Sequence, residues 1–546
     1  MHVSLKGFRL DPPGAERLKS LLAGDRSSPC ASAVTSHVVS LGAQYAIVEE
    51  PYIDQDYSSD YLGFYAGAFR NYPRHTRRVH IFREDVSALL SKPMAEQQAA
   101  LKAAAYLGFI VLRPIAQGPI GRTVLAFPDL GPDLIVRKAA RADFKSHLLG
   151  STLEVNSAAP FIQQDERIGS CAQAAIWMAT RPVHERHRKT GWHSIADITR
   201  LATTPTDDAL SRSLPAGSGG LNPIHIIRAL RGMGHQPLFD FFLTDAPAQE
   251  TPPAAPMVKT IDPIAAAAII RYLDSGLPVV VALADVGEKI GHAITAVGFV
   301  ETKAGPCRTA SSYDGFVRAL IVHDDQRGPY RLMPLTKDDI QHLPADRLLS
   351  HDSTVLTVQA AVTHMFVPLP GRVFLPADRA DTVVRDFLEQ YVKVAGDGML
   401  KRVEDDYAGA GEAVEAFYVL VKSGQLIRRT FLTSAGRYRH HLAKSDLSDE
   451  VKAELLVRHL PHFVWVTELI SPEGSSCEED RPRKILGHMV VNATSSTDPS
   501  SDLLIAHLPH VLIHRDVNPP DGHSAPFREQ AVIIEANGAY LGRLRR

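Results

Sequence analysis

Cys171, His292 and the adjacent acids Asp324 and Asp325 are the residues of this chain whose types and order could carry out acyl transfer through a thiol. Cys171 follows a turn-like Arg167-Ile168-Gly169-Ser170 and opens a run of good helix formers and small apolar residues, Ala172, Ala174, Ala175, Ile176, Trp177, Met178 and Ala179. The start of a helix offers unpaired N–H groups and the positive end of the dipole, and both favour a thiolate over a thiol. A nucleophile also needs a base, and something to orient that base. His292 begins the apolar stretch HAITAVGFV, and Asp324 and Asp325 come just after ALIVH. Ends of rigid elements are where side chains are presented to a cleft. An imidazole beside the thiol raises the thiolate fraction, and an acid on its far side fixes the tautomer.

Each of these residues also has a structural reading. A cysteine among alanines is commonly a small buried hydrophobe, and a histidine before a strand a satisfied core residue. An Asp pair before Gln326-Arg327-Gly328-Pro329 can simply initiate a turn, so the choice between Asp324 and Asp325 stays open. The order of the set favours chemistry.

The elements that must position these residues are legible around them. Asn222 and Pro223 are placed as cap and first-turn residue of an amphipathic helix, IHIIRALRGMG, that ends at Gly234. Asp262 and Pro263 open a second helix through Leu273, stopped by Gly276. Residues 277–284, LPVVVALA, form a continuous apolar run suited to a strand buried on both faces, and residues 292–300 and 319–323 are the next strands.

In this order, residues 160–333 resemble the papain-like cysteine peptidases, and among them the bacteriocin-processing peptidases of ABC transporters with their stand-alone relatives. The pieces that carry the resemblance are Gln164 ahead of Cys171, SGGLNPIHIIRALRGMGH, DSGLPVVVAL, GHAITAVGF and IVHDDQRGPY. The resemblance implies Cys171 as nucleophile, His292 as general base and later acid, and Asp324 as the group orienting the imidazole. It also implies Gln164 as oxyanion donor together with the Cys171 backbone N–H. Gln164 lies one position further from Cys171 than is usual in relatives, which makes Gln163 the alternate donor. Ala172 departs from the glycine or small-aromatic pattern after the cysteine, and Asp325 stands where a proline often follows the orienting acid.

Composition bounds the rest. A chain of 546 residues, 45% hydrophobic, can bury large cores and has length for roughly three domains. Lys+Arg 59 against Asp+Glu 61 gives a net charge of -2, so no overall field recruits nucleic acid or an anionic membrane. The first residues lack a signal-peptide pattern and no apolar run approaches ~18 residues, so a cytoplasmic location and no membrane association are expected. The four cysteines, Cys30, Cys171, Cys307 and Cys477, never form C-x-x-C, which argues against a disulfide framework or a thiolate zinc site. His184, His187 and His193 lack H-E-x-x-H and a carboxylate partner, and are read as a solvated basic helix end. No metal and no cofactor are expected.

The expected fold is α/β (α+β): residues 149–368 form a papain-like domain with a helix-borne cysteine packed on an antiparallel sheet, flanked by mixed α/β domains at 1–148 and 369–546. In the first, residues 36–49, 108–114 and 123–127 read as strands and 85–91 and 94–107 as helices. The acidic aromatic segment 49–65 reads as a solvated loop or packing surface. In the last, 380–391 and 447–460 read as helices, and 416–422, 463–470, 484–492 and 531–535 as strands. The cluster Arg428, Arg429, Arg437, Arg439, His440 and His441 reads as a solvated or salt-bridged face. The expected activity is hydrolysis of a peptide or isopeptide amide in a protein or peptide substrate, with the flanking domains limiting access or meeting a protein partner. An acyl transferase or transglutaminase using the same triad, and an inactive interaction protein, are the alternatives.

Overall fold

The strand Val279–Leu283 has no polar position and His292–Thr302 is apolar from Ala296 to Val300, and in the computed structural model both of their faces are buried. Residues 3–24, 28–165, 170–187, 191–204, 221–245, 259–284, 291–308, 311–351, 353–472, 484–495, 502–517, 527–534 and 540–541 are described. Val279, Val281, Leu283, Ile294, Ala296 and Phe299 belong to one core, shared with the Ile264–Asp274 helix and the C-terminal third. Val280, Ala293, Val297 and Val300 belong to a second core, shared with the Cys171–His187 helix and the N-terminal third. Each fully buried Val or Ile contributes about 1.5–3 kcal/mol.

The protein is a mixed α/β fold of helices and antiparallel sheets. The central sheet runs Gly328–Pro334, Val317–Asp324, His292–Thr302, Val279–Leu283, Val362–Leu369, Gln236–Phe241, all antiparallel, with Leu134–Lys138 added against the later half of His292–Thr302. The N-terminal sheet runs Ser4–Arg9, Tyr45–Tyr52, Thr76–Phe82, Tyr106–Leu112, Ile120–Leu125, Ser151–Phe161, Ala142–Leu148. A third sheet, from Ile427–Ser434 to Phe527–Ile533, fills the C-terminal third. The boundary expected at 148/149 therefore falls in the turn of a hairpin, Ala142–Leu148 with Ser151–Phe161. The boundary expected at 368/369 falls before the last residue of the strand Val362–Leu369.

Several local expectations are corrected. Residues 36–49 are not one strand. Ser28 caps a helix, Pro29–Ser40, whose Cys30, Val34 and Val38 recur every fourth residue and are buried, and the strand begins at Tyr45. Residues 416–422 are the end of the Gly411–Lys422 helix, because Val414, Phe417 and Tyr418 bury one helical face and override strand propensity. The helix expected over 94–107 stops at Ala103, where the next residues join the N-terminal sheet, and that over 85–91 is the short 3₁₀ turn Ser87–Ser91.

The acidic aromatic segment is a packing surface rather than a solvated loop. Asp54 caps the helix Gln55–Gly63, and Asp54, Asp56, Tyr57, Asp60 and Tyr65 are all buried. Asp56 accepts from Trp177 Nε1 at 2.9 Å and pairs with Arg181, both on the Cys171–His187 helix. Asp60 accepts from the Ala196 amide at 3.1 Å, and Tyr65 donates to Asp165 at 2.6 Å. In the C-terminal third, Arg429 is buried between Asp274 and Glu468, at 2.6 and 2.8 Å, and Arg428 pairs with Asp381 at 3.0 Å. Among the described residues no helix is long and apolar enough to cross a membrane.

Asp56→Ala leaves Arg181 buried beside no carboxylate of that helix and removes the Trp177 acceptor. Loss of one partner of a buried pair costs about 3–5 kcal/mol, so the variant is expected to lower the urea midpoint by that much stability. A change under about 1 kcal/mol would mean that the helix docks by apolar contact alone.

Candidate active site

Cys171 is the first residue of the Cys171–His187 helix and is half-buried. The helix entry is fastened by Ser170, whose backbone N–H and hydroxyl both donate to Gln173 Oε1, at 3.2 and 2.6 Å. Gln173 is itself fully buried, so this entry is set inside the protein. Of the turn expected at 167–170, residues 167–169 lie outside the described residues.

The central sheet brings the other groups to this point. Thr295 donates to the Ala175 carbonyl at 2.9 Å, pinning the His292–Thr302 strand to the second turn of the helix. Thr295 also pairs across the sheet with His323, so His292 and Asp324 arrive at the same end of neighbouring strands. His323 is fully buried, and its Nδ1 lies 3.2 Å from the Pro160 carbonyl, tying the strand that ends in Asp324 to the strand that leads toward Cys171. Burial pushes the His323 ring down to about 3, so it is neutral and acts through geometry.

Cys171 is close enough to His292 to favour charge on the ring. His292 Nε2 lies 3.2 Å from Asp324 Oδ1 and 3.7 Å from Asp325 Oδ1. The shorter contact is an ion pair whose N–H aims off the oxygen, a looseness common in sites without substrate. Burial opposes charge on this ring, but Asp324, the contact with Cys171 and Asp325 outweigh it and hold His292 well above the ordinary histidine range. Burial likewise opposes charge on Asp324, and His292 with the amides of Gln326 and Arg327 overcomes it, holding that carboxyl low. Those amides donate to Asp324 Oδ1 at 2.8 and 3.0 Å, so Asp324 both initiates the turn and faces the imidazole. Asp325 differs. Burial and the neighbouring Asp324 push it up to about 7 against the pull of His292, and among the described residues neither of its oxygens has a hydrogen-bond partner.

The remaining cysteines sit in poorer surroundings for a thiolate. Cys30 is fully buried, and burial followed by Asp325 and Asp324 pushes its thiol well up. Burial also raises Cys307, whose sulfur donates to the Gly315 carbonyl at 2.9 Å. Cys477 lies outside the described residues.

Gln163 and Gln164 are distinguished by their bonding. Gln163 Oε1 accepts from the Ile120 amide at 3.3 Å, so its side chain is engaged in the N-terminal sheet. Gln164 is half-buried, and among the described residues its amide makes no hydrogen bond, to Cys171, His292 or any other group. Its backbone is held close: a Cβ on Gly118 (φ +65) would come within 1.9 Å of the Gln164 carbonyl. Buried Arg113 braces the same loop by donating to the carbonyls of Gly118 and Gln163. Arg113, Thr295 and His323 were not singled out from the sequence. The signal was a lone polar residue within an otherwise apolar run, GFIVLRP, HAITAVGFV and ALIVH, which reads equally as ordinary strand punctuation.

Comparison with family models, curated proteins and solved structures finds no match. The case for the site rests on its geometry.

Because its pKa is raised, His292 is expected to stay protonated as pH climbs past ~6.5, and the charge pair to be lost only as pH rises through that raised value. On the acid side it is lost as pH falls through the depressed value of Asp324. NMR of ¹⁵N-histidine protein should show this, and Asp324→Asn should bring the His292 titration down by more than Asp325→Asn does. A His292 that titrates as a free histidine in the unmodified chain would remove the pair.

Proposed function

We propose that this chain is a thiol-dependent hydrolase that cleaves a peptide or isopeptide amide bond through Cys171, His292 and Asp324. The observation that carries the reading is the grouping itself: a thiol at a helix start close to an imidazole whose Nε2 is 3.2 Å from a buried carboxylate. A helix-borne cysteine packed on an antiparallel sheet supports the papain-like assignment of the central segment.

In this reading the protonated His292 ring is paired with the Cys171 thiolate, which attacks the scissile carbonyl. His292 then returns the proton to the leaving amine. The acyl-enzyme is hydrolysed by a water that His292 deprotonates in turn. Asp324 keeps the ring oriented and stabilises the imidazolium without taking a proton, the division of labour of a triad acid. The Cys171 backbone N–H, at the helix start, and the Gln164 amide meet the oxyanion. Asp324 rather than Asp325 is assigned the orienting role, because it is closer to Nε2 and is held in its charged form. The substrate is a protein or peptide, met in the cytoplasm, and the N- and C-terminal segments restrict its approach.

The reading is tested with a library of amide-linked peptides and the full-length chain. Cys171→Ala is expected to abolish turnover. Gln164→Ala is expected to lower kcat by about 10²–10³ with little change in KM, because its hydrogen bond strengthens only as the oxyanion forms. Gln163→Ala, which loosens a backbone contact, should be milder. Turnover that survives Cys171→Ala would exclude the thiol mechanism.

A further inference from the structure

Three buried polar atoms at this site have no hydrogen-bond partner among the described residues: His292 Nε2, Asp325 Oδ1 and Asp325 Oδ2. Thiol catalysis assigns no task to Asp325, although it is fully buried and the ionic counterweight beside it is His292. A buried carboxylate with no hydrogen bond is costly to keep, and its presence needs a reason.

Donor atoms of His292, Asp324 and Asp325 lie within 4.8 Å of one another. Donors about 2.0–2.2 Å from a tetrahedral ion stand about 3.3–3.6 Å apart, and the two imidazole-to-carboxylate separations here are 3.2 and 3.7 Å. One imidazole with two carboxylates is a donor set for a divalent ion of the zinc class. Outer contacts that orient such a ligand are present as well, since Asp324 is held by the Gln326 and Arg327 amides. The His292 side chain is 24% exposed, which gives an ion a way in.

We infer that His292 Nε2, Asp324 and Asp325 form an inhibitory Zn²⁺ site that switches off the thiol chemistry without touching the sulfur. The consequence for rate rests on the hydrolase reading; the binding does not. The ion takes the Nε2 lone pair and releases the Nε2 proton to solvent, with a further proton leaving Asp325 where that carboxyl is protonated. The remaining ring proton is then on Nδ1. A ring with metal on one nitrogen cannot release its last proton readily, so the leaving amine goes unprotonated and amide cleavage stalls. Alkylation of Cys171, which involves no leaving amine, continues at the rate of an ordinary thiol.

The test uses full-length Cys171→Ser protein, so that the thiol cannot bind metal, titrated with Zn²⁺ by equilibrium dialysis and with Co²⁺ by visible absorption. One ion is expected at a site weakened by at least roughly tenfold in Asp325→Asn, since even outer contacts are worth that much. His292→Gln, at a partly exposed ring, is the second variant should Asp325→Asn fail to fold. In the unmodified chain Zn²⁺ is expected to block amide cleavage while iodoacetamide, applied near pH ~8.5 where an ordinary thiol reacts, still alkylates Cys171. Affinity unchanged in both variants overturns the site, and protection of Cys171 in step with binding places the ion on the sulfur and overturns the mechanism. Asp325-dependent binding in a chain that cleaves no amide supports the metal site and removes only the hydrolase reading.

Discussion

The Cys171–His187 helix is apolar almost all the way round, with every residue from Ala172 to Val183 buried, so it has no face that can be left to water. A helix of that kind has to be enclosed. The central sheet covers one side through Ala293, Val297 and Val300, and the N-terminal third covers another through the core that includes Ala159, Phe161 and Ile162. The enclosing elements also bring polar anchors, Asp56 for Trp177 and Arg181, and Thr295 for the Ala175 carbonyl. The result is a helix start fixed in position and angle, with Cys171 at the rim where burial ends. The N-terminal third is therefore part of what builds the site.

A second constraint is electrostatic. The end of the central sheet holds two adjacent buried carboxylates and one imidazole, and the three cannot be treated separately. The ring holds Asp324 charged, Asp324 helps hold the ring charged, and Asp325, deprived of hydrogen bonds, is driven toward its neutral form. Adjacent acids thus have opposite characters because only one has the Gln326 and Arg327 amides to accept from. That asymmetry supports both the choice of Asp324 as the orienting acid and the proposal that Asp325 answers to a cation.

The central segment was the most legible part of the sequence because its signals are local. Asn222 caps the helix Pro223–Gly232, Asp262 accepts from the Ile264 amide, Gly234 and Gly276 take positive φ, and the apolar runs after them are strands buried on both faces. Where tertiary packing decides, the sequence misled. Val38 and Val39 suggest a strand and Val419 to Val421 another, yet both lie in helices whose buried faces recur every three or four residues. The acid choice and the Gln choice were ambiguous for a related reason, since adjacent identical residues differ only in which backbone amides they meet. The anchoring of Cys171 by Asp56, more than a hundred residues earlier, leaves no trace in local spacing.

The central claim is that Cys171 is activated by His292. It is tested most directly by brief iodoacetamide exposure of the native chain near pH ~6, where an ordinary thiol is almost wholly protonated, followed by mass-spectrometric mapping of all four cysteines. The account predicts that Cys171 is alkylated well ahead of Cys30, Cys307 and Cys477, and that His292→Ala removes the lead. Equal labelling of the four, or a Cys171 whose rate is indifferent to His292→Ala, would contradict it.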